Sequence, residues 1–87
     1  MYYVYILQNK TGRFYIGKTS SVEKRLMRHN QGEVFSTKPY RPWTLIFYEA
    51  YIRKSDADRR EMYLKTAKGR TTIKTMLKDY LLYPFSI

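Results

Sequence analysis

No cysteine occurs anywhere in this chain of 87 residues, and that absence decides much of how it must fold. Disulfides and cysteine-held metals are the usual supports of very small domains. Without them, one hydrophobic core must hold the chain while burying only roughly 60% of the surface that the unfolded form exposes. A single domain over residues 1–87 is expected. The lone histidine, His29, excludes a multi-histidine metal site. Apolar residues at 44% and charged residues at 28% are near the globular average, so material for a core is present. No apolar run approaches the ~18 residues of a membrane span, and nothing resembles a signal peptide. The expectation is no membrane partner and a reducing, cytoplasmic compartment.

Charge narrows the partners. Lys and Arg total 17 against 7 Asp and Glu, a net charge of +10. Basic residues occur in both halves of the chain, so no basic tail accounts for them. A field of this sign and size suits nucleic acid and speeds encounter with it. Ten tyrosines lift the aromatic content to 17%; most are expected in the core or on strands, where a small domain needs their area.

Aromatic and β-branched residues make 2–8 a strand, and Asn9-Lys10-Thr11-Gly12 is turn chemistry. Residues 13–18 return as the second strand of a hairpin. With an odd number of residues in the connecting loop, Tyr5 is expected opposite Tyr15, with Gly17 on the same face. Ser20 and Glu23 have capping-box spacing, and Val22, Leu26 and His29 follow at helical intervals, placing Arg25 beside His29. Asn30-Gln31-Gly32 ends that helix. A polar loop with Pro39 and Pro42 leads to residues 44–52, a near-continuous apolar strand expected to be buried on both sides. Ser55-Asp56 opens a helix in which Ala57, Glu61 and Leu64 share a stripe, so a carboxylate interrupts an apolar face. Lys68-Gly69-Arg70 reads as its break. A third helix from about Thr72 carries Ile73, Met76, Leu77, Tyr80 and Leu81 on one face, and Pro84 ends regular structure. The order β-β-α-β-α-α predicts an α+β domain, a small three-stranded antiparallel sheet flanked by about three helices.

Tyr5, Tyr15, Lys18, Arg25, His29 and Glu61 form the one acid–base constellation in this pattern. In this order they resemble the GIY-YIG nuclease superfamily, its small single-domain bacterial members and the N-terminal nuclease domain of the excinuclease C subunit. The first half-motif stands as Tyr3-Val4-Tyr5, with only the tyrosine kept. The second, Tyr15-Ile16-Gly17, is intact. Glu23-Lys24-Arg25-Leu26-Met27-Arg28-His29 matches the arginine-bearing helix, and Glu61 in Arg59-Arg60-Glu61 matches the later glutamate. The likeness spans residues 2 to about 70. Many members carry an asparagine near the metal in the last helical region, and residues 70–87 contain none.

The resemblance implies a metal-dependent DNA endonuclease of repair or DNA processing that hydrolyses phosphodiester bonds in duplex, nicked or branched DNA. Glu61 would hold one divalent ion, Mg²⁺ or Mn²⁺, a chemistry that suits a single carboxylate. Arg25 would grip the scissile phosphate. Tyr5 would orient or deprotonate the attacking water. A free tyrosine has a pKa near ~10, so a base role needs a depressed pKa or a proton relay. Tyr15, Lys18 and His29 would serve as relay and electrostatic partners. No second domain is expected, so the resemblance leaves three routes open: cleavage by DNA structure, a protein partner that supplies specificity, or weak activity. The competing reading is a non-catalytic basic nucleic-acid-binding module or adaptor that keeps the fold.

Overall fold

Four consecutive residues, Val4, Tyr5, Ile6 and Leu7, are buried in strand β1 (Tyr2–Asn9), so both of its faces are covered. In the computed structural model, which describes residues 1–83, β1 is the middle strand of an antiparallel sheet. It pairs with β2 (Phe14–Thr19) on one side and β3 (Trp43–Tyr51) on the other. Alternation divides the sheet into two half-cores. Val4, Ile6 and Ile16 pack on Ala57, Leu64 and Ile73. Tyr5, Leu7 and Trp43 pack on Tyr15, Val22, Leu26 and Leu45 across the other face. Among the described residues, no helix is long and apolar enough to cross a membrane.

The strand expected to be buried on both sides, 44–52, is instead the edge strand β3. Its burial is mostly partial, and Tyr48 is 55% exposed. The cause is how far its covering helix reaches. Helix α1 (Val22–Asn30) ends at Asn30, whose amide accepts from Trp43 N at 2.7 Å and donates to Trp43 O at 2.9 Å. That fixes the helix over the Trp43 end of β3 and leaves Tyr48 uncovered.

The hairpin register also differs from expectation. Tyr5 faces Gly17, and Tyr15 faces Leu7. The Asn9 N–H donates to Arg13 O at 3.1 Å, which closes a three-residue loop with Gly12 at φ +88°. The loop is odd, as required, and keeps both tyrosines on one face. It is centred on Thr11, however, and that shifts the pairing by two residues.

Helix caps account for the remaining differences. Ser21, not Ser20, caps α1, accepting from Lys24 N. Helix α2 (Lys54–Leu64) buries Ala57 and Leu64, as the stripe predicted. Gly69 does not break a helix; it lies inside α3 (Ala67–Met76), which Thr66 caps by accepting from Gly69 N at 3.0 Å. A Cβ at Gly69 would overlap the backbone of Tyr63 and Leu64, so this glycine lets α3 close onto the end of α2. The expected single third helix is divided at Leu77, and a short α4 (Lys78–Leu82) follows. The ending expected at Pro84 lies outside the described residues.

Candidate active site

Tyr5 owes its position to the register. From the central strand its ring crosses Gly17 so closely that a Cβ there would overlap it. Gly17 of the Tyr-Ile-Gly segment is thus the gap through which the Tyr5 hydroxyl passes. Tyr15, diagonal to Tyr5, lies with its ring centroid 6.2 Å away. It meets His29 edge-on at 4.8 Å.

A buried hydrogen-bond chain ends on Tyr5. The Thr37 hydroxyl, 1% exposed, donates to Val34 O at 3.3 Å. With its proton on that carbonyl, it accepts from Nδ1–H of His29, 2.8 Å away. That leaves Nε2 of His29 as an acceptor, and the Tyr5 hydroxyl donates to it at 2.9 Å. Arg25 Nε donates to the same Tyr5 oxygen at 3.3 Å. Trp43 Nε1 anchors the loop by donating to Thr37 O at 3.0 Å. The local sequence arranges this directly. Arg25 and His29 are one helical turn apart on α1, which packs against the Tyr5 face of the sheet.

Electrostatics fix the protonation states. Burial is the main cause that pushes the Tyr5 phenol up to about 12, with the Arg25 hydrogen bond opposing it. Burial, then the Arg25 charge, holds His29 down at about 4. At neutral pH the pair is a neutral phenol donating to a neutral imidazole. His29 is charged only by losing these contacts, so its stabilisation is complete above the unfolded pKa near 6.5 and fades as pH falls towards 4. The shift corresponds to on the order of 3 kcal/mol lost across that window. Urea melts at pH 7 and pH 4 should show this loss in the parent and a much smaller one in His29→Gln. Equal losses in both would place the acid sensitivity elsewhere.

Lys18 and Glu61 stand apart from this chain. Lys18 lies on the opposite face of β2 from Tyr15 and is ion-paired to Asp58, which also takes Lys54 at 3.0 Å. The Asp58 hydrogen bond raises the Lys18 pKa. Glu61 follows Asp58 by one turn of α2; its side chain is 19% exposed and pairs with Lys65 at 3.4 Å. Its charge reaches both Lys18 and Tyr5, in each case raising the pKa as the smallest cause. Among the described residues no three or more His, Cys, Asp or Glu side chains converge on a metal position. A partly open, single carboxylate still fits an ion that keeps most of its ligands as water and phosphate oxygen.

Two residues of this site escaped the sequence reading. Thr37 sits in an aperiodic loop, and nothing local marks it as a partner of His29. Asp58 could have been found, because it precedes Glu61 by three residues and shares its helix face.

A buried tyrosine–histidine–arginine chain thus lies on one face of a three-stranded sheet, with a glutamate on the helix behind. The GIY-YIG catalytic domain matches residues 1–74, and the chain belongs to the GIY-YIG family, whose domain carries nuclease-type activity. Among its relatives is the UPF0213 protein of Staphylococcus saprophyticus, 36% identical over 74 residues that cover 84% of this chain and 90% of the relative. The UPF0213 protein of Staphylococcus haemolyticus is 39% identical over the same shares. The solution NMR structure of a UPF0213 protein from Bacillus halodurans superposes with a TM-score of 0.55 at 30% identity, covering 87% of this chain and 85% of that one. The resemblance and the α+β fold are both borne out.

Proposed function

We propose that the chain is a metal-dependent DNA endonuclease in which Tyr5 and His29 together activate the attacking water. The observation that carries this reading is the buried hydrogen-bond chain Arg25–Tyr5–His29–Thr37. A purely structural tyrosine needs no imidazole held in one tautomer behind its hydroxyl.

The protonation states select the relay over a preformed phenolate. As the water oxygen attacks phosphorus, its proton moves to the Tyr5 oxygen and the Tyr5 proton moves to His29 Nε2. The bond to the 3′-oxygen breaks, and that oxygen takes a proton from solvent. Arg25 holds a non-bridging phosphate oxygen while its Nε steadies charge on the Tyr5 oxygen. Phosphate bound at Arg25 also offsets one of the two causes that depress His29, so His29 becomes a stronger base once substrate arrives. A divalent ion at Glu61, Mg²⁺ or Mn²⁺, would stabilise charge on the leaving 3′-oxygen. Lys18, tied to Asp58, positions α2 against β2 and takes no proton. The reading places the protein in DNA repair or processing.

Incubation of the purified chain with duplex, nicked and branched DNA in Mg²⁺ or Mn²⁺ tests the proposal. Cleavage that a chelator abolishes is the expected result. Tight binding of all three substrates without cleavage in either ion would establish the non-catalytic nucleic-acid-binding module instead.

A further inference from the structure

The hairpin tip and helix α3 enclose a second basic concavity away from the Tyr5 cluster. Phe14, Arg70, Lys74 and Lys78 line a cavity of about 540 Å³. Arg13, Phe14 and Arg70 line one of about 460 Å³ that shares Gly12 with it. Phe14 and Tyr15 are neighbours on β2 and point to opposite faces, so this groove opens on the α2–α3 side of the sheet.

The cations here form no ion pair among the described residues. Six ion pairs are formed among the described residues, and none uses Arg13, Arg70, Lys74 or Lys78. The ten residues of α3 contain no acid; the nearest acid along the chain is Asp79, in the first turn of α4. The two arginines are held in place by rings. The Arg13 guanidinium lies 3.8 Å from the Tyr40 centroid, and that of Arg70 lies 6.0 Å from the Phe14 centroid. Stacking of this kind fixes a guanidinium without neutralising it, so its N–H groups stay free for an anion. Arg70 and Lys74 are about 6 Å apart along the helix axis, near the separation of successive phosphates on a strand. Arg70, Lys74 and Lys78, unpaired among the described residues, line one concave wall and repel one another, and a polyanion relieves that repulsion.

We infer that this groove is a phosphate-backbone track: it holds a nucleic-acid strand on the sheet face opposite Tyr5. The inference rests on the nuclease reading for its ligand class and deepens it. The track supplies affinity through backbone contacts and leaves the chemistry to Tyr5, Arg25, His29 and Glu61. A duplex arm lying on it extends past the hairpin, so the protein grips DNA on both sides of β2. The contacts carry no base readout, and binding through the track is insensitive to sequence.

The triple variant Arg70→Gln, Lys74→Gln and Lys78→Gln tests this in the full chain. All three side chains are exposed, so the fold is retained. The probe is a labelled DNA duplex without divalent metal, so that binding is read apart from cleavage. A control triple, Lys24→Gln, Lys38→Gln and Arg53→Gln, removes the same charge from exposed positions outside the groove. The groove triple is expected to weaken binding at least ~10-fold at moderate salt and to lower the slope of log affinity against log salt by about 2.7, at 0.9 for each phosphate contact. The control is expected to lose less than about 3-fold, since its side chains face no track. Equal losses in the two triples, or an unchanged slope in the groove triple, would overturn the inference. A chain that binds through the groove and cleaves nothing would sink the nuclease reading and leave the track in place.

Discussion

Tyr5→Phe is expected to lower the cleavage rate at least ~10²-fold while DNA affinity stays within about 2-fold of the parent. The substitution keeps the ring over Gly17 and removes only the hydroxyl that links Arg25 to His29. It also leaves Nε2 of His29 buried without its donor, at a cost of about 1–2 kcal/mol. Rates should therefore be compared well below the melting temperature. Two further measurements separate the relay from other roles for the hydroxyl. His29→Gln should lose activity on a similar scale, and the double variant should be little worse than either single one, because both remove one proton path. The parent kcat/KM should be level from about pH 6 to pH 9 and fall in acid as His29 of the free protein, at about 4, takes up its proton. A phenolate base would instead drive the rate up tenfold per pH unit towards the Tyr5 value of about 12. That steep alkaline rise, or additive losses in the double variant, would exclude the relay.

How much of this was legible in the sequence depended on whether the signal was local. The α1 and α2 stripes were readable because helical periodicity lies within a dozen residues, and the order of elements followed from them. Turn chemistry was visible in Asn9-Lys10-Thr11-Gly12, but register was not. Register depends on where the loop is centred, and a centre at Thr11 moves Tyr5 from Tyr15 to Gly17 without changing its face. Apolar content identified β3 as a strand and misjudged its burial, because central or edge position is decided by pairing between distant segments. Gly69 illustrates the same limit: it packs α3 against α2, and a glycine at a close approach reads like a helix breaker when its neighbour is unknown. Within the site, Arg25 and His29 were legible as a pair one turn apart. Thr37 was not, since its bond to His29 comes from how a loop without periodicity folds back.

Glu61→Gln is expected to abolish metal-stimulated cleavage, the largest single loss at this site. The amide matches the carboxylate in shape and can no longer bind a hard divalent cation as an anion. Folding should be almost unaffected. The Glu61–Lys65 pair bridges neighbouring turns at 3.4 Å with Lys65 half in solvent, and such a pair contributes at most about 1 kcal/mol. Affinity for DNA without metal should be unchanged or higher, because one negative charge has gone from a surface that attracts phosphate. Removing that charge also lowers the Tyr5 pKa, since Glu61 is among the causes that raise it. The Tyr5–His29 pair therefore stays competent in the variant, and the loss cannot be assigned to a failed relay. A direct readout of ion binding separates the two parts of the site. Mn²⁺ should broaden NMR signals of residues around Glu61 in the parent and in Tyr5→Phe, but not in Glu61→Gln. Cleavage by Glu61→Gln at the parent rate would remove the metal from Glu61 and leave the water to Tyr5 and His29 alone.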